Sequence, residues 1–155
     1  MRDSERIDFK NRLKLICKSL IEQRMDASKL AMQHAQEAAN NEEKSSAGDK
    51  YETARAMSQL QKDMHSKQLA EIIKELAVLY TIDVNKICEE GEPGAFVECL
   101  RVSFFIVAGL GKQIVDGQVI YFLSPKAPLA RALYNKKTGD HFMFNQIETK
   151  IVNLY

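Results

Sequence analysis

The sequence predicts an α+β fold in which an N-terminal antiparallel helical hairpin precedes a small twisted β-sheet domain with one short helix. Two observations predict this order. Up to Tyr80 the chain keeps apolar residues at helical spacing and contains a single glycine, Gly48, and no proline. After Tyr80, β-branched and aromatic residues gather in short runs separated by glycine and proline. We therefore predict a hairpin over 1–81, a linker over 82–94 and a C-terminal domain over 95–155.

The first predicted helix runs from about Ser4 to Asn41, a stretch without proline or glycine. Its apolar and small residues recur at spacings of three, four or seven, which is the helical period. The predicted seam consists of Leu13, Ile16, Leu20, Ala27, Ala31, His34 and Ala38. The change from large to small side chains along it would let a partner helix approach closely.

The second predicted helix begins near Asp49 and runs to about Tyr80. Its predicted seam consists of Tyr51, Ala54, Met57, Met64, Ile72, Leu76 and Leu79. Two helices joined by a short polar turn near 42–49 predict an antiparallel pair. One continuous helix in a coiled-coil dimer is the alternative, which Gly48 and the two serines before it disfavour.

The predicted turn carries four carboxylates, on Glu42, Glu43, Asp49 and Glu52. Asp49 and Glu52 have the spacing of an N-cap and its capping-box partner, a role that would direct their oxygens to backbone N–H groups. Glu42 and Glu43 are under no such constraint, so they are the better candidates for contact with a metal ion.

In the second half, runs of β-branched and aromatic residues predict six strands. They are 95–100, 102–108, 113–115, 118–123, 141–145 and 150–155. Asp116-Gly117 predicts a tight hairpin turn, and Pro128 predicts the start of a short helix over 129–134. Phe104, Phe105 and Phe122 are predicted core residues, and no cluster of rings on one face is expected.

Charge and cysteine content exclude several classes of function. The 22 basic and 21 acidic residues leave a net charge of +1, whereas a dedicated nucleic-acid binder needs a clear basic excess. The three cysteines are far apart, which predicts neither a metal cluster nor a disulfide framework and favours a reducing, cytoplasmic setting. The chain has no apolar run of the roughly 20 residues that span a bilayer, and its charged N-terminus is unlike a signal peptide.

The C-terminal signature of the Gre transcript-cleavage factors of bacterial RNA polymerase resembles the stretch Ser124-Pro-Lys-Ala-Pro-Leu-Ala-Arg-Ala-Leu-Tyr-Asn-Lys-Lys-Thr-Gly-Asp140. The matching positions are Ser124, Pro128, Leu129, Ala130, Arg131, Leu133, Lys136, Gly139 and Asp140. Tyr51-Glu-Thr-Ala-Arg55 resembles the start of the second hairpin helix in that family. The resemblance extends over about residues 5–155.

This resemblance implies a transcription elongation factor with an FKBP-like C-terminal domain that docks on the polymerase at the rim of its secondary channel. Residues implied to dock are Ser124, Pro125, Lys126, Pro128 and Arg131. The hairpin would enter the channel as a monomer, and its tip acids would help to hold a second Mg²⁺ that the polymerase supplies. The protein would bind no stable cofactor, would meet the RNA 3′ end only within the complex and would not be an enzyme itself.

The predicted tip departs from the Gre pattern. Counted back from Tyr51, the family's acidic positions fall on Lys44 and Ala47, neither of which can bind a metal. Two alternatives therefore stay open: a channel-binding regulator or inhibitor that does not stimulate cleavage, and a coiled-coil adaptor for another protein. A peptidyl-prolyl isomerase, suggested by the implied fold, would need a pocket lined by aromatic residues.

Overall fold

The computed structural model describes the backbone of residues 1–45 and 49–155, and the side chains outside 42–51. The described elements are α1 (Asp3–Ser45), α2 (Asp49–Thr81), β1 (Phe96–Cys99), β2 (Ser103–Ile106), β3 (Gly111–Val115), β4 (Gln118–Leu123), α3 (Pro128–Leu133), β5 (His141–Phe144) and β6 (Ile147–Leu154). Two long helices followed by a small mixed sheet with one short helix confirm the predicted α+β class. None of the described helices combines the length and apolar character needed to cross a membrane.

The six strands form one mixed sheet in the order β3-β4-β2-β1-β6-β5. β2 and β4 pair in parallel, and the other neighbouring strands pair antiparallel. All four residues of β2 are buried, because this strand lies in the interior of the sheet with packed residues on both faces.

Each edge of the sheet is a β-hairpin whose two strands are joined by a tight turn. Asp116 and Gly117 both have positive φ, 51° and 78°, as the predicted turn between β3 and β4 requires. Asn145 and Gln146 also have positive φ, 49° and 64°, and form an equivalent turn between β5 and β6. The predicted start of the last strand at residue 150 was therefore wrong: pairing begins at Ile147, directly after the turn.

By packing, the chain divides into two compact units. One comprises Met1–Leu20 together with Glu75–Tyr155, and the other comprises Ile21–Lys74. In the first unit, the stretch 82–94 that the sequence marks as a linker is closely packed: Val84 and Cys88 are only 1% and 3% exposed. This stretch therefore contributes side chains to the core as well as connecting two elements.

In the first unit, the base of α1 lies against the end of α2 and the residue that follows it. The Lys18 ammonium is 5.8 Å from the centre of the Tyr80 ring, and Lys14 Nζ donates a hydrogen bond to the Ile82 carbonyl at 2.7 Å. From Lys18 to Lys14 of α1, the contacted residue changes from Tyr80 to Ile82, so the two chain segments run antiparallel here.

In the second unit, α1 and α2 are also neighbours. The Ser28 hydroxyl donates a hydrogen bond to the His65 carbonyl at 3.4 Å. Among the α1 side chains that the structure describes in this unit, the buried ones are Ile21, Ser28 and Ala35, each seven residues after the last. A seven-residue repeat of this kind keeps one face of a helix against its partner.

The predicted seams of the two helices were partly wrong. Ala27, His34 and Ala38 are exposed, and the buried face of α1 lies one residue further along. Met57 and Met64, predicted for the seam of α2, are each 53% exposed. In a run of small residues such as Ala27-Ser28, apolar character does not indicate which neighbour faces the partner, because both fit a close helix contact.

The faces of the sheet each carry a cluster of aromatic rings, contrary to the expectation of none. On one face the Phe104 ring lies 5.5 Å from the Phe142 ring and 5.1 Å from the Phe144 ring, between ring centres. On the other face Phe96 lies 5.2 Å from Tyr155, and 5.3 Å from Phe9 of α1. The rings come from segments that are far apart in sequence, so the local pattern could not show that they meet.

Three buried cysteines predict how stability depends on alkaline pH. Burial raises the pKa of Cys17 to about 12 and of Cys99 to about 11, from an ordinary thiol value of 9.0. Above pH 9 the unfolded chain therefore loses thiol protons that the folded chain keeps, and folding becomes less favourable as pH rises. We expect the free energy of unfolding to fall by up to about 1.4 kcal/mol per pH unit for each thiol. Burial lowers the pKa of Lys10 from its ordinary value of 10.5, so the folded chain gives up this proton at lower pH than the unfolded chain does. As pH approaches 10.5, this effect makes the free energy of unfolding rise and opposes the effect of the thiols.

Urea unfolding across this alkaline range measures the slope, and Cys17→Ala is the matched variant. It should unfold more easily at every pH, but with a shallower pH slope than the unaltered protein. Equal slopes for the two proteins would contradict the assignment of a raised thiol pKa to Cys17.

Candidate functional site

The five residues predicted to dock on a partner lie in one continuous segment that leads from the end of β4 into α3. Ser124 follows the last residue of β4, and Pro128 is the first residue of α3. Ala127, just before the helix, has extended backbone angles, φ −63° and ψ 145°, which suit the residue preceding a proline. Proline is favoured at the first helical position because its missing N–H would have no helical partner there.

Local hydrogen bonds hold the loop before α3. The Lys126 backbone N–H donates to Ser124 Oγ at 3.3 Å, and the Ala127 N–H donates to the Ser124 carbonyl at 3.0 Å. From the far end of α3, the Tyr134 hydroxyl donates to the Pro125 carbonyl. Burial raises the pKa of Tyr134 above its ordinary value of 10.0, so the hydroxyl that donates this bond stays protonated further into the alkaline range. The predicted docking residues thus belong to a folded segment whose loop is held at both ends.

The short helix α3 has one buried side and one exposed side. Ala130 and Leu133 are fully buried, and Leu133 belongs to the core cluster that includes Phe104. Lys126, Pro128 and Arg131 are exposed. The segment therefore presents two cations on a surface whose backbone is positioned by the core beneath it.

Gly91 fixes the chain that follows α3, and sequence reasoning missed it. Its N–H donates to the Lys136 carbonyl at 2.8 Å, and its carbonyl accepts from the Asn135 N–H at 3.0 Å. A Cβ at this position would lie 1.8 Å from the carbonyl oxygen of Leu133, so only glycine fits. The glycine and proline residues around it predicted a linker. Such residues occur both in free loops and where one backbone packs closely against another, so the sequence does not distinguish the two.

The end of the motif is a structural turn. The Lys137 N–H donates to Asp140 Oδ2 at 2.8 Å, and the Asp140 N–H donates back to the Lys137 carbonyl at 2.9 Å. Gly139 has φ of 94°, and its N–H donates to the Ile151 carbonyl of β6 at 2.8 Å. Asp140 and Gly139 therefore serve to place the turn on the sheet.

A cleft of about 430 Å³ adjoins the motif at Pro125. It is lined by Val78, Thr81, Ile82, Asp83, Lys86, Glu92, Pro93 and Pro125. Lys86 and Glu92 form an ion pair in it with an N–O distance of 2.6 Å, and the hydrogen bond from Lys86 lowers the pKa of Glu92. The cleft extends the candidate surface beyond the motif. It adds one positive and one negative side chain, Lys86 and Glu92, which are paired with each other.

At the predicted tip, Glu52 is exposed in the first turns of α2. The side chains of Glu42, Glu43 and Asp49, including the predicted capping box, lie outside the described residues. Across the described parts of the chain, no three His, Cys, Asp or Glu side chains are grouped as ligands for a metal ion.

One cleft in the first unit has aromatic side chains in its lining. A cleft of about 330 Å³ touches Phe9, Phe96 and Tyr155, but Phe96 and Tyr155 are only 2% and 3% exposed. These rings pack α1 against the sheet, so Phe96 and Tyr155 expose little of their surface to the cleft.

Compared with models of known protein families and with curated protein sequences, the chain matches none.

Proposed function

We propose that this protein is a transcription elongation factor that binds bacterial RNA polymerase through the segment from Ser124 to Arg131 and places its two-helix arm in the secondary channel. The proposal starts from the sequence resemblance to Gre factors. The observation that carries it is the folded, exposed form of the motif: Lys126 and Arg131 are exposed, while Ala130 and Leu133 anchor the same segment in the core. A surface of that kind can meet a partner without first having to become ordered.

The arm supplies the second support. The unit Ile21–Lys74 consists of parts of α1 and α2 around the stretch 46–48. At 1.5 Å per residue, the 26 residues of α2 that belong to this unit, Asp49–Lys74, extend over about 40 Å. A paired-helix rod of that length suits insertion into a narrow channel. The polymerase would supply Mg²⁺ and perform any RNA cleavage, and the protein would contact the RNA 3′ end only within the complex.

The first test is affinity for core RNA polymerase. We expect the double variant Lys126→Glu with Arg131→Glu to weaken binding by about 10-fold to 100-fold, because reversing two rim charges removes attraction and adds repulsion. A fluorescence anisotropy titration with labelled protein measures the change. The matched control is Arg101→Glu with Lys112→Glu, an equal charge change at two exposed positions outside the motif. Equal losses for both pairs would show that only net charge matters and would contradict docking through the motif.

A second assay distinguishes a cleavage factor from a non-cleaving regulator or inhibitor. The observation that favours the regulator is the presence of Lys44 and Ala47 where cleavage factors carry acids. Backtracked elongation complexes are incubated with the protein and Mg²⁺, and release of the RNA 3′ fragment is followed. Cleavage that is lost in Glu42→Gln with Glu43→Gln assigns the metal contact to these acids. Binding without any cleavage assigns the regulator.

One observation favours a coiled-coil adaptor as a further candidate. Met57, Leu60 and Met64 of α2 are 53%, 54% and 53% exposed, and their spacing places them on one face of the helix. Failure of the full-length protein to co-purify with core polymerase, together with capture of a different protein that Met57→Glu and Met64→Glu abolish, would establish this function instead.

A further inference from the structure

Lys10 is a fully buried lysine in the first unit of the protein. Its side chain has no solvent exposure, although lysine is among the residues least often buried. The ammonium nitrogen donates a hydrogen bond to the Lys86 carbonyl at 2.8 Å and lies 3.7 Å from Cys88 Sγ. A lysine on α1 is thus held beside a thiol from the packed stretch 82–94.

The pair is buried, and this burial lowers the pKa of the amine. Cys88 is only 3% exposed. Burial is the largest effect on Lys10 and lowers its pKa, so a larger fraction of the amine is in the nucleophilic, unprotonated form than in a free lysine. The charged groups acting on the pair are Asp83 and the Lys86–Glu92 ion pair. Cys88 differs from the other two cysteines because cations act on it: burial and Glu92 raise its pKa, and Lys10 and Lys86 lower it. The charged groups that act on Cys17 and Cys99 are the carboxylates of Glu75 and Glu98.

We propose that Lys10 and Cys88 form an oxidative modification site, in which a peroxide converts the pair into a covalent sulfur–nitrogen link. In the first step hydrogen peroxide oxidises the Cys88 thiol to a sulfenic acid, and the peroxide is reduced to water. In the second step the lone pair of Lys10 Nζ attacks Sγ, the S–OH bond breaks, and the hydroxyl leaves with an amine proton as a second water. The overall change is one thiol, one amine and one peroxide to one S–N bond and two waters.

The geometry supports the second step over further oxidation. The nitrogen is already within 3.7 Å of sulfur and is held there by its bond to the Lys86 carbonyl. A sulfenic acid at Cys88 would therefore meet an amine before a second peroxide enters the buried site. The link would join α1 covalently to the stretch that contains Gly91, across a sequence separation of 78 residues. A thiol reductant would reverse it, as it does other sulfenamides.

The test treats the folded full-length protein with hydrogen peroxide, measures its intact mass, and then alkylates the remaining thiols before proteolysis. We expect an intact product about 2 Da lighter than the reduced protein, and a peptide pair joined between Lys10 and Cys88 after proteolysis. Both features should disappear after dithiothreitol treatment. The same treatment in urea should yield no joined pair, because unfolding separates the two side chains.

Lys10→Arg is the matched variant, since it keeps a cation at the position but removes the nucleophilic amine. In that variant we expect Cys88 to reach the sulfinic acid, about 32 Da heavier, without any joined peptide. Unlinked sulfenic or sulfinic acid at Cys88 of the folded, unaltered protein, or a disulfide in place of the link, would overturn the proposal. This outcome is read from the unaltered protein and so does not depend on the variant folding.

Discussion

Replacing Gly91 with alanine is expected to destabilise the protein by about 3 kcal/mol or more. The added Cβ would lie 1.8 Å from the Leu133 carbonyl oxygen and 2.6 Å from its carbonyl carbon. Both contacts are with backbone atoms, so no side chain can rotate away to relieve them. The chain would have to separate, which would break the hydrogen bonds of Gly91 with Lys136 and Asn135.

Equilibrium urea unfolding, followed by circular dichroism, measures this loss. Gly109→Ala is the matched control, because a Cβ there would lie 3.5 Å from Glu75 Oε1 and 3.6 Å from Ser124 Cβ, which are ordinary contacts. We expect that control to stay within about 0.5 kcal/mol of the unaltered protein. Similar stability of the two alanine variants would contradict the close approach at Gly91.

The same substitution connects stability with the proposed function. Gly91 holds the chain directly after α3, whose exposed side carries Arg131. Under conditions where Gly91→Ala remains largely folded, we therefore expect weaker binding to core polymerase than for Gly109→Ala. The change would arise from displacement of α3, since Gly91 itself is buried.

Replacing Phe104 with alanine is expected to cost about 3 to 5 kcal/mol. The ring is fully buried in β2, and its neighbours are the rings of Tyr121, Phe142 and Phe144. Removing it leaves a cavity between rings carried by two other strands, β4 and β5. These strands are tied by their backbone hydrogen bonds, so they cannot collapse into the space.

Urea unfolding again gives the free energy, and Met143→Ala is the control. Met143 lies on β5, between Phe142 and Phe144 in the chain, but is 59% exposed, so its truncation should change stability by less than about 0.5 kcal/mol. If Phe104→Ala cost no more than Met143→Ala, the ring cluster could not be a main contributor to the core of this domain.

Local pattern was sufficient to predict most of the elements. β4 spans Gln118–Leu123 as predicted, and α2 begins at Asp49, where the sequence indicated a restart. The turn at Asp116-Gly117 was predictable because positive φ at two successive positions favours this residue pair. The equivalent turn at Asn145-Gln146 lacks glycine and gave a weaker signal, so the start of β6 was placed too late.

The candidate docking segment could be predicted because its residues are contiguous. A motif of that kind is visible in the sequence without any knowledge of the fold. Gly91 and Lys10 could not be predicted, because each owes its importance to a partner far away in the chain. Lys10 meets a residue 78 positions later, and Gly91 meets the backbone at Leu133.

The sequence by itself determined the order and type of the elements, since helical spacing, strand alternation and turn residues are properties of neighbouring positions. The tertiary structure alone decided which of two adjacent small residues faces the partner helix, and it brought the aromatic rings together. It also buried a lysine amine beside Cys88. Such features depend on the close approach of distant segments, where a difference of one methyl group or one residue of register decides what fits.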